Sequence, residues 1–233
     1  MFHVVKKLGL VGIVVAGIAS RSDAGIITVP PSLAPGAQYR LVFVTSGTSD
    51  ALSNVVADYN TFVTNQANTN AALTALGTTW RAIASVASIP STVNAVDNVG
   101  ATAASVGIYR LDGIIVSPNT TSMFSGAISN PVLLNQSGSA NTDSTVWTGS
   151  NSHGTADFGL GAASHQADFG DSAASNGQWL AIDTFPTEFT FSLYAVSGVL
   201  TVPSTSVPEP GSVGLTALGG AVLLLAARRK TAN

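Results

Sequence analysis

Two apolar runs, Leu8 to Ala19 and Gly211 to Ala227, stand at opposite ends of the chain and confine any globular fold to the residues between them. Cations flank both: Lys6 and Lys7 directly precede the first, which Arg21 follows at a distance of two residues, and Arg228, Arg229 and Lys230 directly follow the second. The first has the form of an export signal, with small residues ending in Ser22-Asp23-Ala24 that favour a cut after Ala24, Ala19 being the alternative. Residues 1–24 are therefore set aside from the fold. As a helix, the second run reaches about 25 Å, a little under a hydrocarbon core of ~30 Å. It is expected to be a C-terminal transmembrane helix over 211–227, with a basic cytoplasmic tail over 228–233 and everything upstream outside.

From Gly25 to Ser206 lie about 180 residues, enough for one domain with its own core. The cations there are Arg40, Arg81 and Arg110, with no lysine, against nine aspartates and Glu188. Three cations against ten carboxylates leave −7, a balance that the whole-chain value of −3 hides. An acidic domain without a basic stripe excludes nucleic acid as a partner, because that affinity depends on lysine and arginine neutralising phosphates. The chain has no cysteine. Disulfides, thiolate metal sites and cysteine nucleophiles are thereby excluded, and the domain must be held by its core.

Within the domain, Tyr39 to Thr45 is rich in β-branched and aromatic residues and reads as a strand. Val55, Val56, Tyr59, Phe62 and Val63 then recur at helical spacing, with Asp50 or Ser53 placed to cap the start. A shorter helix is expected from Asn70 to Leu76, stopping at Gly77. Trp80 to Ser85 reads as strand, with Trp80 a core anchor. Asp112-Gly113 between Ile108-Tyr109-Arg110-Leu111 and Ile114-Ile115-Val116 is a hairpin signal, since both turn residues tolerate positive φ. Val146 to Gly149 and Trp179 to Ile182 are short strand candidates, separated by a glycine-rich acidic loop. In the closing strand Phe189, Phe191, Leu193 and Ala195 share one face, and Thr190, Ser192, Tyr194 and Val196 the other. The expected fold is a single α+β domain over 25–202, with two N-terminal helices and a mostly antiparallel sheet with long loops. A linker over 203–210 would follow it.

That linker ends in Val207-Pro208-Glu209-Pro210, whose two prolines hold it extended and accessible. Motif, apolar run and terminal Arg228-Arg229-Lys230 together closely resemble the PEP-CTERM sorting signal of Gram-negative bacteria that make extracellular polysaccharide. The resemblance implies that Val207, Pro208, Glu209 and Pro210 are recognised by a membrane processing enzyme, an exosortase. It further implies a protein anchored in the inner membrane in transit and then delivered to the cell surface or extracellular matrix. More faintly, four segments in order resemble C-type-lectin-like domains of the endostatin kind. They are Trp80 to Ser85, Ile108 to Gly113, Met123-Phe124-Ser125-Gly126 and Val146-Trp147-Thr148-Gly149. This implies a C-type-lectin-like fold, although those relatives use disulfides and this chain has none.

Residues 151–176 hold His153, Asp157, His165, Asp168 and Asp171, and two Asp-Phe-Gly steps. Asp157, Asp168 and Asp171 are candidate oxygen ligands for Ca²⁺, which wants six to eight of them, but their spacing matches no EF-hand loop, and a solvated acidic loop accounts for the same residues. Asp-Phe-Gly is not a kinase signal here, because the strand lysine and the His-Arg-Asp element are missing. The histidines lack His-Glu-x-x-His spacing and the chain has no Gly-x-Ser-x-Gly elbow, so no catalytic residue is assigned. Trp147 and Trp179 have the aromatic faces that carbohydrate recognition uses, though both lie beside short apolar strands, which favours core packing. The expected role is non-enzymatic, structural or binding, associated with extracellular polysaccharide and needing no cofactor. A calcium-dependent, lectin-like carbohydrate-binding module is the alternative.

Overall fold

Strand β1 (Gln38–Val44) is the axis of the sheet, and its sequence explains why. After Gln38 every residue is buried, with Tyr39, Leu41 and Phe43 entering one core and Val42 and Val44 a second. A strand apolar on both faces has to lie in the interior of a sheet covered on both sides. The computed structural model describes residues 25–87, 91–100 and 105–204. The expected export signal with Ala24, the linker from 205 with Val207, Pro208, Glu209 and Pro210, the span 211–227, and the tail with Arg228, Arg229 and Lys230 lie outside the described residues.

Among the described residues nine strands form one mixed sheet. Its main path runs β4 (Ile115–Ser117), β3 (Gly107–Arg110), β1, β8 (Ser192–Ser197), β5 (Thr145–Trp147), β6 (Gln166–Asp171) and β7 (Asp183–Pro186). β2 (Trp80–Ala82) joins β8 beside β5, and β9 (Leu200–Thr201) joins β1. β1 is antiparallel to β8 and β9 but parallel to β3, and β5 is parallel to β8. The pairing of β9 with the start of β1 brings the two ends of the domain together, closed by the Val202 N–H on the Ala37 carbonyl (2.8 Å).

One core lies under helix α1 (Val56–Asn68), which buries Tyr59, Val63 and Ala67 against Leu41, Phe43 and Trp80. Phe43 and Trp80 meet edge to face at 5.0 Å. The second core gathers Ile83, Ile108, Val116, Met123, Val146, Trp179 and Tyr194 on the opposite face. It is covered by single turns: α3 (Ala95–Asn98), α4 (Thr120–Met123) and a 3-10 turn over Gly177–Trp179. Helix α2 (Ala71–Thr74) is also one turn, with the Asn70 side chain accepting from the Ala72 N–H.

These observations correct the expected fold class. In place of an α+β domain with two N-terminal helices, the described residues form a sheet domain whose strand order is mixed. Among the described residues only α1, with 13 residues, exceeds one turn. No helix among the described residues is long and apolar enough to cross a membrane.

Smaller corrections have local causes. Helix α1 starts at Val56 with no side-chain cap, because Asp50 instead accepts from Leu52 N–H and Ser53 from Val55 N–H. Trp179 to Ile182 is not a strand: Trp179 and Leu180 both enter the second core, whereas successive strand residues face opposite sides. The expected loop over 151–176 contains β6. Gln-Ala-Asp-Phe-Gly-Asp has little β propensity, and pairing with β5 on one edge and β7 on the other overrides it.

Candidate functional site

The acidic stretch does not converge on one point. Asp157 is exposed in the turn before β6, while Asp168 lies within β6 and is only 6% exposed. Its carboxylate accepts from the Phe158 N–H (2.9 Å), and the Asp168 N–H donates to the Phe158 carbonyl (2.9 Å). Burial raises the Asp168 pKa to about 6, with the charges of Asp157 and Asp183 adding to the shift and the Phe158 bond opposing it. Asp171 is three residues further along the same strand and so belongs to the other face. It turns back to accept from the Ala173 N–H (2.8 Å). Among the described residues no three His, Cys, Asp or Glu side chains come together as a metal would need.

His153 and His165 are both exposed and separate. The His153 ring lies 3.2 Å from the Phe124 carbonyl, and His165 occupies a turn with φ 55°. Trp147 and Trp179 are fully buried, packed on Phe191 at 4.5 Å and Tyr194 at 5.5 Å. Neither indole N–H has an acceptor among the described residues. Each orphaned donor costs about 1–3 kcal/mol, but burying about 200 Å² of ring returns about 5 kcal/mol, so the rings stay in the core.

The concave surface lies elsewhere, between α1 and the segment leading into β2. It is a groove of about 480 Å³, lined by Asn60, Thr61, Thr64 and Asn65 from α1 and by Thr78 and Thr79 opposite. One lining side chain, Asn60, belongs to an amide pair. Asn60 Nδ2 donates to Asn98 Oδ1, and Asn98 Nδ2 donates back to Asn60 Oδ1, both at 3.0 Å. The same side chains take the Ala82 N–H (2.8 Å) and give a hydrogen to the Ala82 carbonyl (2.8 Å), locking α1, β2 and α3 together.

At one end the groove meets a smaller cavity of about 200 Å³, the two sharing Thr79 and Arg81 in their walls. Arg40 lines the smaller cavity and is 3% exposed. Neither hollow is lined by a carboxylate, imidazole or thiol. Amides, hydroxyls and guanidinium groups can bind and orient a polar ligand there, but they include no group suited to proton transfer or nucleophilic attack near neutral pH.

Sequence reasoning missed this site. Its one signal is Arg40 itself, a charge set inside an otherwise apolar strand run. Neither a scan of protein-family models nor a search of curated proteins finds a match to the chain.

Proposed function

We propose that this is an exported protein, delivered to the surface of a Gram-negative bacterium through its C-terminal sorting signal. There it serves as a non-enzymatic structural or binding component of an extracellular polysaccharide matrix. The observation that carries the reading is the ordered set Val207-Pro208-Glu209-Pro210, apolar run and Arg228-Arg229-Lys230. An exosortase-type enzyme is the processing partner that follows from it. The groove beside α1 supports a binding role, because neutral amides and hydroxyls match the donors and acceptors of sugar hydroxyls.

The cysteine-free sequence supplies a clean test. Ser164→Cys places a single thiol on an exposed turn, and a membrane-impermeant maleimide can report where it lies. Labelling of intact cells equal to that of lysed cells is expected, together with a mature mass set by cuts near Ala24 and near Pro208-Glu209-Pro210. Labelling that requires lysis overturns the reading.

A further inference from the structure

The domain has three cations to place, and only one of them is given a counter-charge among the described residues. Arg110 is paired with Asp112 at 2.6 Å. Arg40 and Arg81 have no carboxylate partner among the described residues, and residues 88–90 and 101–104 carry no charged side chain that could serve.

Register brings these two together. Arg81 of β2 lies across from Val196 of β8, and Val196 lies across from Val42 of β1. Arg40 stands two residues before Val42, so both arginines belong to the same sheet face on either side of β8. The end of α3 lies over that face. Arg40 Nη2 donates to the Val99 carbonyl (2.9 Å), and Arg81 Nη1 donates to the Asn98 carbonyl (2.9 Å). Arg40 Nε also donates to the Ser197 carbonyl (2.7 Å), and its Nη1 to Thr120 Oγ1 (3.2 Å). These acceptors orient the guanidinium groups without neutralising them. Of the five N–H groups on each side chain, Arg40 commits three and Arg81 one.

Placing a buried cation beside a second cation is unfavourable unless something negative enters. Burial, with the Arg81 charge, pulls the Arg40 pKa down to about 10. We propose that the cavity shared by Arg40 and Arg81 is an oxyanion site, taking the carboxylate or sulfate of an acidic sugar whose ring lies in the adjoining groove of α1. A planar guanidinium fork matches either group in a bidentate manner. The surrounding −7 domain repels polymers of high charge density, which leaves a sparsely charged ligand as the fit. The anion chemistry stands on the cavity alone, and the choice of a sugar as carrier rests on the function proposed above.

The test is calorimetric titration of the full-length chain in detergent micelles with sodium glucuronate, glucose 6-sulfate, methyl glucoside and inorganic sulfate. Binding of at least one acidic sugar, weakened by added salt, is expected, with methyl glucoside silent. The acidic sugar that binds identifies the group. Arg81→Gln, at an exposed position, should weaken that binding by about tenfold or more. Arg40→Lys, which keeps the charge and loses the fork, should weaken it too. Equal affinity in Arg81→Gln, no binding of either acidic sugar, or binding of inorganic sulfate alone each overturns the proposal. Failure of the export reading would appear in the labelling experiment and not in this titration.

Discussion

Asp168 holds its charge against two neighbouring carboxylates with one backbone N–H to stabilise it. Its pKa rises to about 6 in the fold, while in the unfolded chain an aspartate titrates near 3.9. The folded state therefore binds the proton more tightly between about pH 4 and pH 6, and stability from this group is present at low pH and lost as pH rises through about 6. Asp168→Asn keeps an oxygen to accept the Phe158 N–H and removes the charge. Its thermal unfolding at pH 7 should show a gain on the order of 1–2 kcal/mol over the parent, and most of that gain should be gone by about pH 4. Arg40 is the mirror problem, a buried cation held by neutral acceptors. The sequence places Arg40 inside an apolar run but names the partners of neither residue, because they come from other segments: Phe158 is ten residues from Asp168, and Ser197 is 157 from Arg40.

Among the elements, those built on local chemistry were legible and those built on remote pairing were not. The hairpin of β3 and β4 forms where Asp112-Gly113 predicts it, with Gly113 at φ 80° and the Gly113 N–H on the Arg110 carbonyl (3.0 Å). The face alternation of Leu193 and Ala195 against Tyr194 and Val196 also holds, each pair entering a different core. The helix expected from Asn70 to Leu76 forms a single turn, Ala71–Thr74. Strand β6 was missed because its stability comes from neighbours on both edges. A similar remote constraint acts just after β5. Gly149 has φ 58°, and a Cβ there would overlap the Ser85 carbonyl oxygen and the Leu160 nitrogen. Both atoms belong to backbone that bonds across this junction: the Leu160 N–H donates to the Ser85 carbonyl (2.9 Å). Gly149→Ala should lower stability by about 2 kcal/mol or more in chemical denaturation, since strained φ and backbone overlap act together.

For the whole molecule, the decisive arrangement is a sheet buried on both faces whose last strand returns to its first. Both cores draw on strands from across the described residues, and the Gly36 N–H on the Val202 carbonyl (2.9 Å) helps close the ends. Residues 25–204 expressed alone should therefore unfold in one cooperative calorimetric transition, with neither terminal segment needed. Separate transitions for the two cores would contradict this. The sequence by itself determined the apolar ends, the acidic and cysteine-free interval between them, and the short elements whose signals lie within a few residues. The mixed strand order, the burial of Trp147 and Trp179, and the meeting of Arg40 with Arg81 were decided only by the tertiary structure. The reason is physical: periodicity and turn chemistry act over one element, whereas strand partners and buried charges are chosen by which surfaces can be covered together.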